Sequence, residues 1–308
     1  MSTQLSSGPP AGAIVVGVDL EGSLAALTFA ARQACLTHRP LHLVHVLRIS
    51  GAEAYAGVVQ GAFEAADAAL DGAVATAREL VAGLVPVTAE RLDEGWLVAD
   101  LVDRAARGSM LVLEHRRLGR MRRFVTGSTV AGVAARCPVP VVSVPDHWRP
   151  GTPEPVVTVG VQDVAEAEPL IRRALTEAQA RSARVDVLHA WFIEGGYDSV
   201  VADPDFRAEK ERRIALDLAP AIEAARALVP DVPVRLRIQH AVPAEALLER
   251  GAASQLLVIG RRHHLLPLGS HLGPVARAVL HYGLEPVMLN PEIPSELRAA
   301  DELTAVGA

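Results

Sequence analysis

The chain has 308 residues, of which 50% are hydrophobic and 21% are charged, a composition typical of globular proteins. Its net charge of −6 and pI near 6.0 argue against a general nucleic-acid binder, which usually carries a strongly basic face. The two cysteines, Cys35 and Cys137, have no ligand-like spacing, so neither a disulfide framework nor a zinc site is expected. The N-terminus has no apolar signal segment, and no run approaches the roughly 18 apolar residues of a membrane span, so we expect a cytoplasmic protein without membrane attachment.

The first half of the chain alternates short apolar runs with long amphipathic stretches. The runs, which we expect to form strands, span residues 13–18, 41–46, 85–92, 110–113 and 139–144. The stretches, which we expect to form helices, span residues 22–36, 62–84, 97–106 and 128–136. Apolar runs without polar alternation, separated by helices, indicate a parallel sheet covered on both faces. The first half is therefore predicted to be a five-stranded α/β domain over residues 12–147.

The second half repeats this order after a Pro-rich segment, residues 148–155, which predicts a short semi-rigid linker. Its predicted strands span residues 156–161, 185–191, 232–239, 256–259 and 286–289. Single residues also recur at a nearly constant separation, and the matched pairs include Gly17 and Gly160, His45 and His189, and Gly127 and Gly273. The sequence thus predicts a duplicated domain, with the second copy over residues 155–291 and flexible tails at residues 1–11 and 292–308.

Both halves pass from the fourth strand through a cationic loop into a helix whose start is marked by glycine. The loops span residues 114–128 and 260–274. In doubly wound sheets, ligands bind beyond the carboxyl ends of the strands. A helix that starts there presents unpaired N–H groups and about half a positive charge. This edge of the sheet is therefore predicted to suit an anion.

These features resemble the universal stress protein family in its tandem form. The resemblance is carried by Val16-Gly17-Val18-Asp19, by residues 242–248 entering the third helix of the second half, and by residues 275–281. It implies two doubly wound five-stranded domains of the adenine nucleotide alpha hydrolase type, each with strand order 3-2-1-4-5. It also implies that the two domains pair through their last strands as an internal pseudo-dimer, with a further homodimer left open. The implied ligand is an adenine nucleotide, ATP with Mg²⁺.

The resemblance also implies particular binding residues in the first half. Nucleotide-binding members carry Gly-x2-Gly-x9-Gly-Ser/Thr after the fourth strand, an Asp after the first strand, and a residue after the second strand whose backbone contacts adenine. The first half retains the candidates Asp19, Val46, Gly127 and Ser128. It has Glu114 and Arg117 in place of the first two motif glycines. A carboxylate is expected to repel phosphate there, and side chains limit close backbone approach.

The second half departs from the same pattern in other positions. It retains the candidates Gly260 and Gly273, with Ala190 after its second strand. His263 stands for the middle glycine and is a further candidate phosphate contact, while Pro274 replaces the Ser/Thr and Gln162 replaces the Asp. If only one half binds nucleotide, the two retained glycines favour the second.

Several residues at this edge allow more than one interpretation. The arginines of the first loop, Arg116, Arg117, Arg120, Arg122 and Arg123, either clamp phosphates or form a solvated loop. Asp19 is either a nucleoside acceptor or a cap for the first helix. His45 and His189 are expected at the edge of the core, and the histidines near residue 263 lack a matched carboxylate or cysteine, so no metal site is expected.

No nucleophile, base and orienting group occur together at a recognisable spacing, so no catalytic residue is predicted. The chain is therefore expected to be a non-catalytic, nucleotide-binding regulator in the stress response. The alternative is a scaffold that binds proteins through degenerate pockets, favoured by Glu114, Arg117, Gln162 and Pro274. Slow ATP hydrolysis would rest on the fold alone.

Overall fold

The computed structural model of the protein describes residues 8–21, 23–47, 56–93, 96–116, 126–151, 155–193, 203–261 and 272–291. The first half consists of β1 (Ile14–Gly17), α1 (Leu24–Thr37), β2 (Leu41–Leu47), α2 (Ala56–Val81), β3 (Val87–Asp93), α3 (Leu97–Ala105), β4 (Met110–His115), α4 (Thr126–Ala134) and β5 (Val141–Pro145). The second half consists of β6 (Val156–Gly160), α5 (Ala167–Ala180), β7 (Arg184–Trp191), α6 (Pro204–Leu228), β8 (Val234–His240), α7 (Pro243–Gly251), β9 (Leu256–Gly260), α8 (Pro274–Tyr282) and β10 (Val287–Asn290). The predicted alternation of strands and helices is confirmed.

The strands form one ten-stranded sheet in the order β3-β2-β1-β4-β5-β10-β9-β6-β7-β8. Within each half the strands are parallel and follow the predicted order 3-2-1-4-5. The halves join through their last strands, where β5 and β10 pair antiparallel with Val142 opposite Met288. The two predicted sheets are therefore continuous, and this junction covers an edge of each half. A further homodimer stays a prediction.

Helices cover both faces of this sheet, which explains why the strands lack polar alternation. Every residue of β2 and β5 is buried. One apolar cluster joins the sheet to α1, α2, α5 and α6, and a second joins it to α3, α4, α7 and α8. Each cluster contains residues of both halves, so the two copies share their cores across the β5–β10 junction.

Several helix boundaries differ from the predicted ones, and the largest shift is the start of α2, which lies at Ala56 instead of residue 62. Helix α2 ends at Val81, because Ala82 (φ 47°) and Gly83 (φ 78°) adopt the left-handed conformation and close its last turn. Helix α4 begins at Thr126, so Gly127 and Ser128 lie within its first turn. The sequence placed the start at Ser128, because glycine is uncommon inside helices.

The segment predicted as a linker begins inside the core. The Trp148 side chain packs edge-on against Phe29 with ring centroids 5.9 Å apart, and its indole N–H donates to Glu285 Oε2 at 2.8 Å. Trp148 therefore anchors the first half to the second, and the connection itself starts after it. An amphipathic indole can do both, since its ring packs against apolar groups while its N–H finds an acceptor.

Polar contacts also tie the halves together on the side of α1 and α5. Gln33 Nε2 donates to Glu177 Oε2 at 2.8 Å, and Arg181 donates both to Glu177 and to Gln33.

Gly8 and Pro9, in the segment predicted as the first tail, are buried, while residues 1–7 and the second tail, 292–308, lie outside the described residues. None of the described helices is both long and apolar enough to cross a membrane.

Candidate functional site

The structure brings the candidate residues of each half to the carboxyl edge of its strands. In the first half, Asp19 follows β1, Val46 lies at the end of β2, and Glu114 lies at the end of β4. In the second half, Ala190 and Gly260 lie at the ends of β7 and β9, and Gly273 caps the start of α8. The side chains of Gly127 and Ser128, and the whole of His263, lie outside the described residues.

The first-half edge is dominated by the carboxylate of Glu114. Its Oε2 accepts hydrogen bonds from the backbone N–H groups of Ala25 at 2.9 Å and Ala26 at 3.3 Å. These are the second and third residues of α1, whose N–H groups a capping side chain normally satisfies. Glu114 thus acts as the cap of a helix that lies 88 and 89 residues earlier in the chain.

The local sequence of α1 explains why a distant cap is needed. Ser23 precedes the helix in the left-handed conformation (φ 52°, ψ 49°), and its side chain does not cap it. The Ser23 hydroxyl instead accepts the backbone N–H of Asp19 at 3.2 Å. Since the first turn also contains no acidic residue, the N–H groups of that turn have no local acceptor.

Arg116 holds the acidic side chains of this edge together. Its guanidinium pairs with Asp19 at 2.8 Å and with Glu21, and its Nε lies 3.8 Å from Glu114 Oε1. Asp19 also accepts the backbone N–H of Glu21 at 3.0 Å. Asp19 is therefore engaged within the protein and does not cap α1. Arg116 is an internal partner, while the other four arginines of the loop lie outside the described residues.

The charges described at this edge are mainly acidic. Three carboxylates, those of Asp19, Glu21 and Glu114, surround the Arg116 guanidinium, while the other four arginines of the loop lie outside the described residues. Burial raises the pKa of the Glu114 carboxyl, and the negative charge of Asp19 adds to this. Hydrogen bonds from Ala26 and Ala25 and the charge of Arg116 lower that pKa but do not reverse the rise.

The corresponding edge of the second half has no such carboxylate. Gly260 takes the position of Glu114, and a Cβ added there would meet Leu170 Cδ2 at 3.5 Å, an ordinary contact. The start of α5 follows the short 3₁₀ turn Val164–Glu166, where Asp163 accepts the N–H of Ala165 at 3.0 Å, and α5 itself has no side-chain cap. Among the described residues, the end of β9 is therefore formed by Gly260, which has no side chain to reach towards α5.

The start of α8 also keeps features of an anion-binding turn. Gly273 caps the helix in extended conformation (φ −62°, ψ 162°), and its carbonyl accepts the N–H of Arg277 at 3.1 Å. Pro274 occupies the first turn of the helix, which suits proline but removes one N–H donor. Gln162, in the position of Asp19, is exposed.

Two glycines of the sequence pattern have a steric role instead. A Cβ on Gly17 would lie 2.6 Å from Leu113 Cδ2, and one on Gly160 would lie 2.5 Å from Leu247 Cδ2. Both distances are too short for real contacts, so a side chain at either strand end would force the leucine beside it to shift. Their recurrence in both halves reflects packing of the core.

The histidines near the carboxyl ends of β2 and β7 differ in detail. His45 is buried, and its Nδ1–H donates to the Val18 carbonyl at 2.9 Å, as expected for a histidine at the edge of the core. His189 is partly buried and faces the carbonyl of Val161. Burial lowers the pKa of His189, as does the charge of Lys210, while the Val161 carbonyl opposes both.

Arg261 belongs to the contact between the halves. It follows Gly260 directly, and its Nη1 donates to the carbonyls of Cys137 at 3.0 Å and Ala134 at 3.4 Å, at the end of α4.

The described residues contain no group of three or more histidine, cysteine or acidic side chains placed to hold a metal ion. His263, His264 and His271 lie outside those residues, so the expectation of no metal site stays a prediction.

The sequence did not reveal a buried ionic network in each half. In the first, Glu90 Oε1 lies 3.0 Å from His42 Nε2 and accepts from Arg104 Nε at 2.8 Å. Burial lowers the pKa of His42 despite the opposing charge of Glu90. The signal available in the sequence was a pair of polar residues, His42 and Glu90, within apolar strands.

In the second half, Asp186 is the centre of the equivalent network. Its carboxylate accepts from Arg237 Nε at 2.7 Å and from Arg250, and it lies 3.3 Å from Arg184 Nε. Burial alone would raise the pKa of Asp186, but the hydrogen bonds and charges of Arg237 and Arg250 together lower it. Both networks link two strands to the helix above them and lie away from the carboxyl edge.

Comparison with known proteins follows the same division into halves. The sequence profile of the universal stress protein family matches residues 11–145 and again residues 155–291. A universal stress protein of Mycolicibacterium smegmatis is 30% identical over 287 residues, covering 90% of this chain and 96% of that protein. A universal stress protein of Mycobacterium tuberculosis is 30% identical over 305 residues, with the same coverage of 90% and 96%.

Solved structures agree with the fold. A universal stress protein from Archaeoglobus fulgidus superposes with a TM-score of 0.65 at 15% identity, covering 91% of this chain and 98% of that one. A functionally unknown protein from Pseudomonas aeruginosa gives a TM-score of 0.61 at 20% identity, covering 96% and 97%. These similarities establish the two-domain architecture.

Proposed function

Because the chain belongs to the universal stress protein family and carries two tandem copies of its domain, we propose that it is a cytoplasmic, non-catalytic regulator of the stress response. We infer that it binds an adenine nucleotide in its second half. The observation that carries this choice is the difference at the end of the fourth strand, where the first half has Glu114 and the second has Gly260. One edge holds an internal anion, and the other leaves room for an external one.

The second-half residues fit a nucleotide in part. Gly260 allows close approach of the backbone, and Gly273 lies at the start of α8, where N–H groups and the helix dipole favour a phosphate. Ala190 lies at the end of β7, in the position from which a backbone contact to adenine is expected. Pro274 and Gln162 each remove a donor or acceptor, so we expect weaker binding than a complete motif would give. Mg²⁺ would bind together with the phosphates of ATP.

The proposal that the protein is not an enzyme rests on the chemistry of the carboxyl edge. Among the described residues, the second-half edge combines Gly260, Ala190 and an exposed Gln162 with His189, which faces the Val161 carbonyl, and Asp163, which caps a 3₁₀ turn, and no nucleophile stands beside them. The acids of the first-half edge are engaged with Arg116 and α1. A binding and signalling role therefore accounts for more of the arrangement than a chemical step does.

The rival function is a protein-interaction scaffold that binds no nucleotide. It is favoured by the filled first-half edge and by Gln162 and Pro274 in the second half, which depart from the family pattern. The two proposals differ in one measurable property, because a scaffold would be indifferent to ATP.

Thermal unfolding and isothermal titration with ATP and Mg²⁺ test the proposal. A ligand at about a hundred times its dissociation constant adds roughly 2.7 kcal/mol to stability, which is a visible rise in melting temperature. We expect one nucleotide per chain in the wild type and loss of binding in Gly260→Arg. The matched control is Gly72→Arg, since Gly72 lies on α2 with open space around it. Absence of binding at millimolar ATP, or equal binding by Gly260→Arg, would overturn the proposal.

A further inference from the structure

The contacts of Glu114 and Arg116 join two parts of the first half that are far apart in sequence. Glu114, in β4, receives the N–H groups of Ala25 and Ala26 at the start of α1. Arg116, just after β4, pairs with Asp19 and Glu21 in the segment between β1 and α1. One side chain thus acts as an anion towards the helix, and the other acts as a cation towards the preceding loop.

This arrangement is not the simplest way to cap a helix in this chain. Helix α6 begins after Asp203, which caps it locally by accepting the N–H of Asp205 at 3.0 Å. The carboxylate of Glu114 is only 8% exposed and lies beside the negative charge of Asp19. Burial of this kind disfavours the ionised form, as the raised pKa of Glu114 shows. A local Asp or Ser cap would serve α1 without that penalty.

The second half shows what the same edge looks like without these contacts. Gly260 replaces Glu114, and α5 follows a 3₁₀ turn that Asp163 caps, while no side chain caps α5 itself. The chain has therefore placed an anion at one helix start and left the equivalent strand end of the other domain without a side chain.

We propose that Glu114 and Arg116 form an intramolecular lock in which the Glu114 carboxylate takes the place of the ligand's anionic group in the first domain. The lock holds the end of β4 against the β1–α1 segment whether or not a nucleotide is present. The first domain then keeps one fixed conformation, and only the second responds to ligand. The response of the second domain rests on the proposed function, whereas the lock itself concerns contacts within the first domain and is tested there.

Chemical rescue tests the lock. Glu114→Ala removes the carboxylate and uncaps α1, so we expect the melting temperature to fall by about 2–4 °C. Inorganic phosphate, titrated at constant ionic strength against chloride, is expected to restore at least half of this loss by occupying the vacated position. The wild type under the same titration gives the contribution of every other phosphate site, including any in the second half.

The matched control is Asp203→Ala, which removes a local helix cap of ordinary kind in the second domain. Relative to the wild type, we expect the melting temperature of Asp203→Ala to be as low in phosphate as it is in chloride. Equal rescue of both variants would mean a general salt effect, and rescue of neither would mean that the carboxylate is only a cap. Either result would overturn the lock.

Two further measurements keep the inference testable if Glu114→Ala folds poorly. Glu114→Gln keeps an acceptor for α1, so we expect a near-wild-type melting temperature and no response to phosphate beyond that of the wild type. Hydrogen exchange at Ala25 and Ala26 should accelerate in Arg116→Ala, because the β1–α1 segment loses its tie to β4. Unchanged exchange at both amides would contradict the role assigned to Arg116.

Discussion

The ionic networks of the two halves place their acidic and basic residues at exchanged positions. Strand pairing places Glu90 beside Val44 and Arg237 beside Leu188, so the acid on the third strand of the first half corresponds to a base in the second. On the neighbouring strand, His42 corresponds to Asp186. The helix above supplies an arginine in its last turn in both halves, Arg104 in α3 and Arg250 in α7.

This exchange shows what duplication preserved. Each half keeps one carboxylate between two basic groups beneath the same helix, but the strand that carries the carboxylate has changed. A buried charge is tolerated only when it is paired and hydrogen-bonded, whichever strand provides the acid. The physical requirement was kept while the residues that meet it diverged, just as the two carboxyl edges diverged around Glu114 and Gly260.

The largest expected effect comes from breaking the second-half network. Asp186→Asn leaves Arg237 and Arg250 without their shared anion, and we expect a loss of about 3 kcal/mol in the free energy of unfolding. This lies at the low end for a broken buried pair, because both arginines are partly exposed. Denaturant unfolding measures it. Glu223→Gln, which removes an exposed ion pair with Arg226, is the control and should change stability by less than about 0.5 kcal/mol.

A double substitution sharpens the comparison. Asp186→His combined with Arg237→Glu gives the second half the arrangement of the first, with the acid on β8 and Arg250 still above it. If the two networks are physically equivalent, the double variant should recover about half or more of the stability lost in Asp186→Asn, measured in the same unfolding experiment. A double variant less stable than Asp186→Asn would show that the strands are not interchangeable.

The smallest expected effect is a difference in acid sensitivity. Burial lowers the pKa of His42 below 6.5, so between that lowered value and 6.5 the unfolded chain binds more protons. The stability that His42 contributes is therefore present above pH 6.5 and is lost as the pH falls below it. The pKa of Asp186 is lowered below 3.8, so its contribution is present above 3.8 and is lost only as the pH falls further.

Melting temperatures between pH 7.5 and 4.5 check this difference. His42→Asn should flatten the decline seen in the wild type. His189→Asn is the companion variant, because the pKa of His189 is lowered as well and contributes to the same window. If the decline persists in full in the variant that lacks both histidines, the acid sensitivity does not come from them.

The sequence predicted most of the fold because the fold depends on local patterns. Apolar runs and amphipathic stretches predicted the strands and helices, and the repeat together with the family resemblance predicted the strand order and the pairing of β5 with β10. The strands and helices follow from the periodicity of apolar residues along the chain. The strand order and the pairing of β5 with β10 rested on the repeat and on the family resemblance.

The site was less predictable because its contacts are long-range. Glu114 was expected to repel a ligand, but its hydrogen bonds to Ala25 and Ala26 depend on how β4 lies beside α1. Trp148 was assigned to a linker because prolines surround it, although its partners Phe29 and Glu285 lie in different halves. No local pattern carries such information, since the partners are selected only when the chain has folded.

The antiparallel junction of β5 and β10 sets the relative direction of the strands in the two halves. It makes the strands of one half run opposite to those of the other, so the two carboxyl edges face opposite ends of the molecule. Arg261, leaving the carboxyl end of β9, accordingly contacts the far end of α4 and not its first turn. The Arg261 contact therefore links the carboxyl end of β9 to the side of the first half that lies opposite its own carboxyl edge.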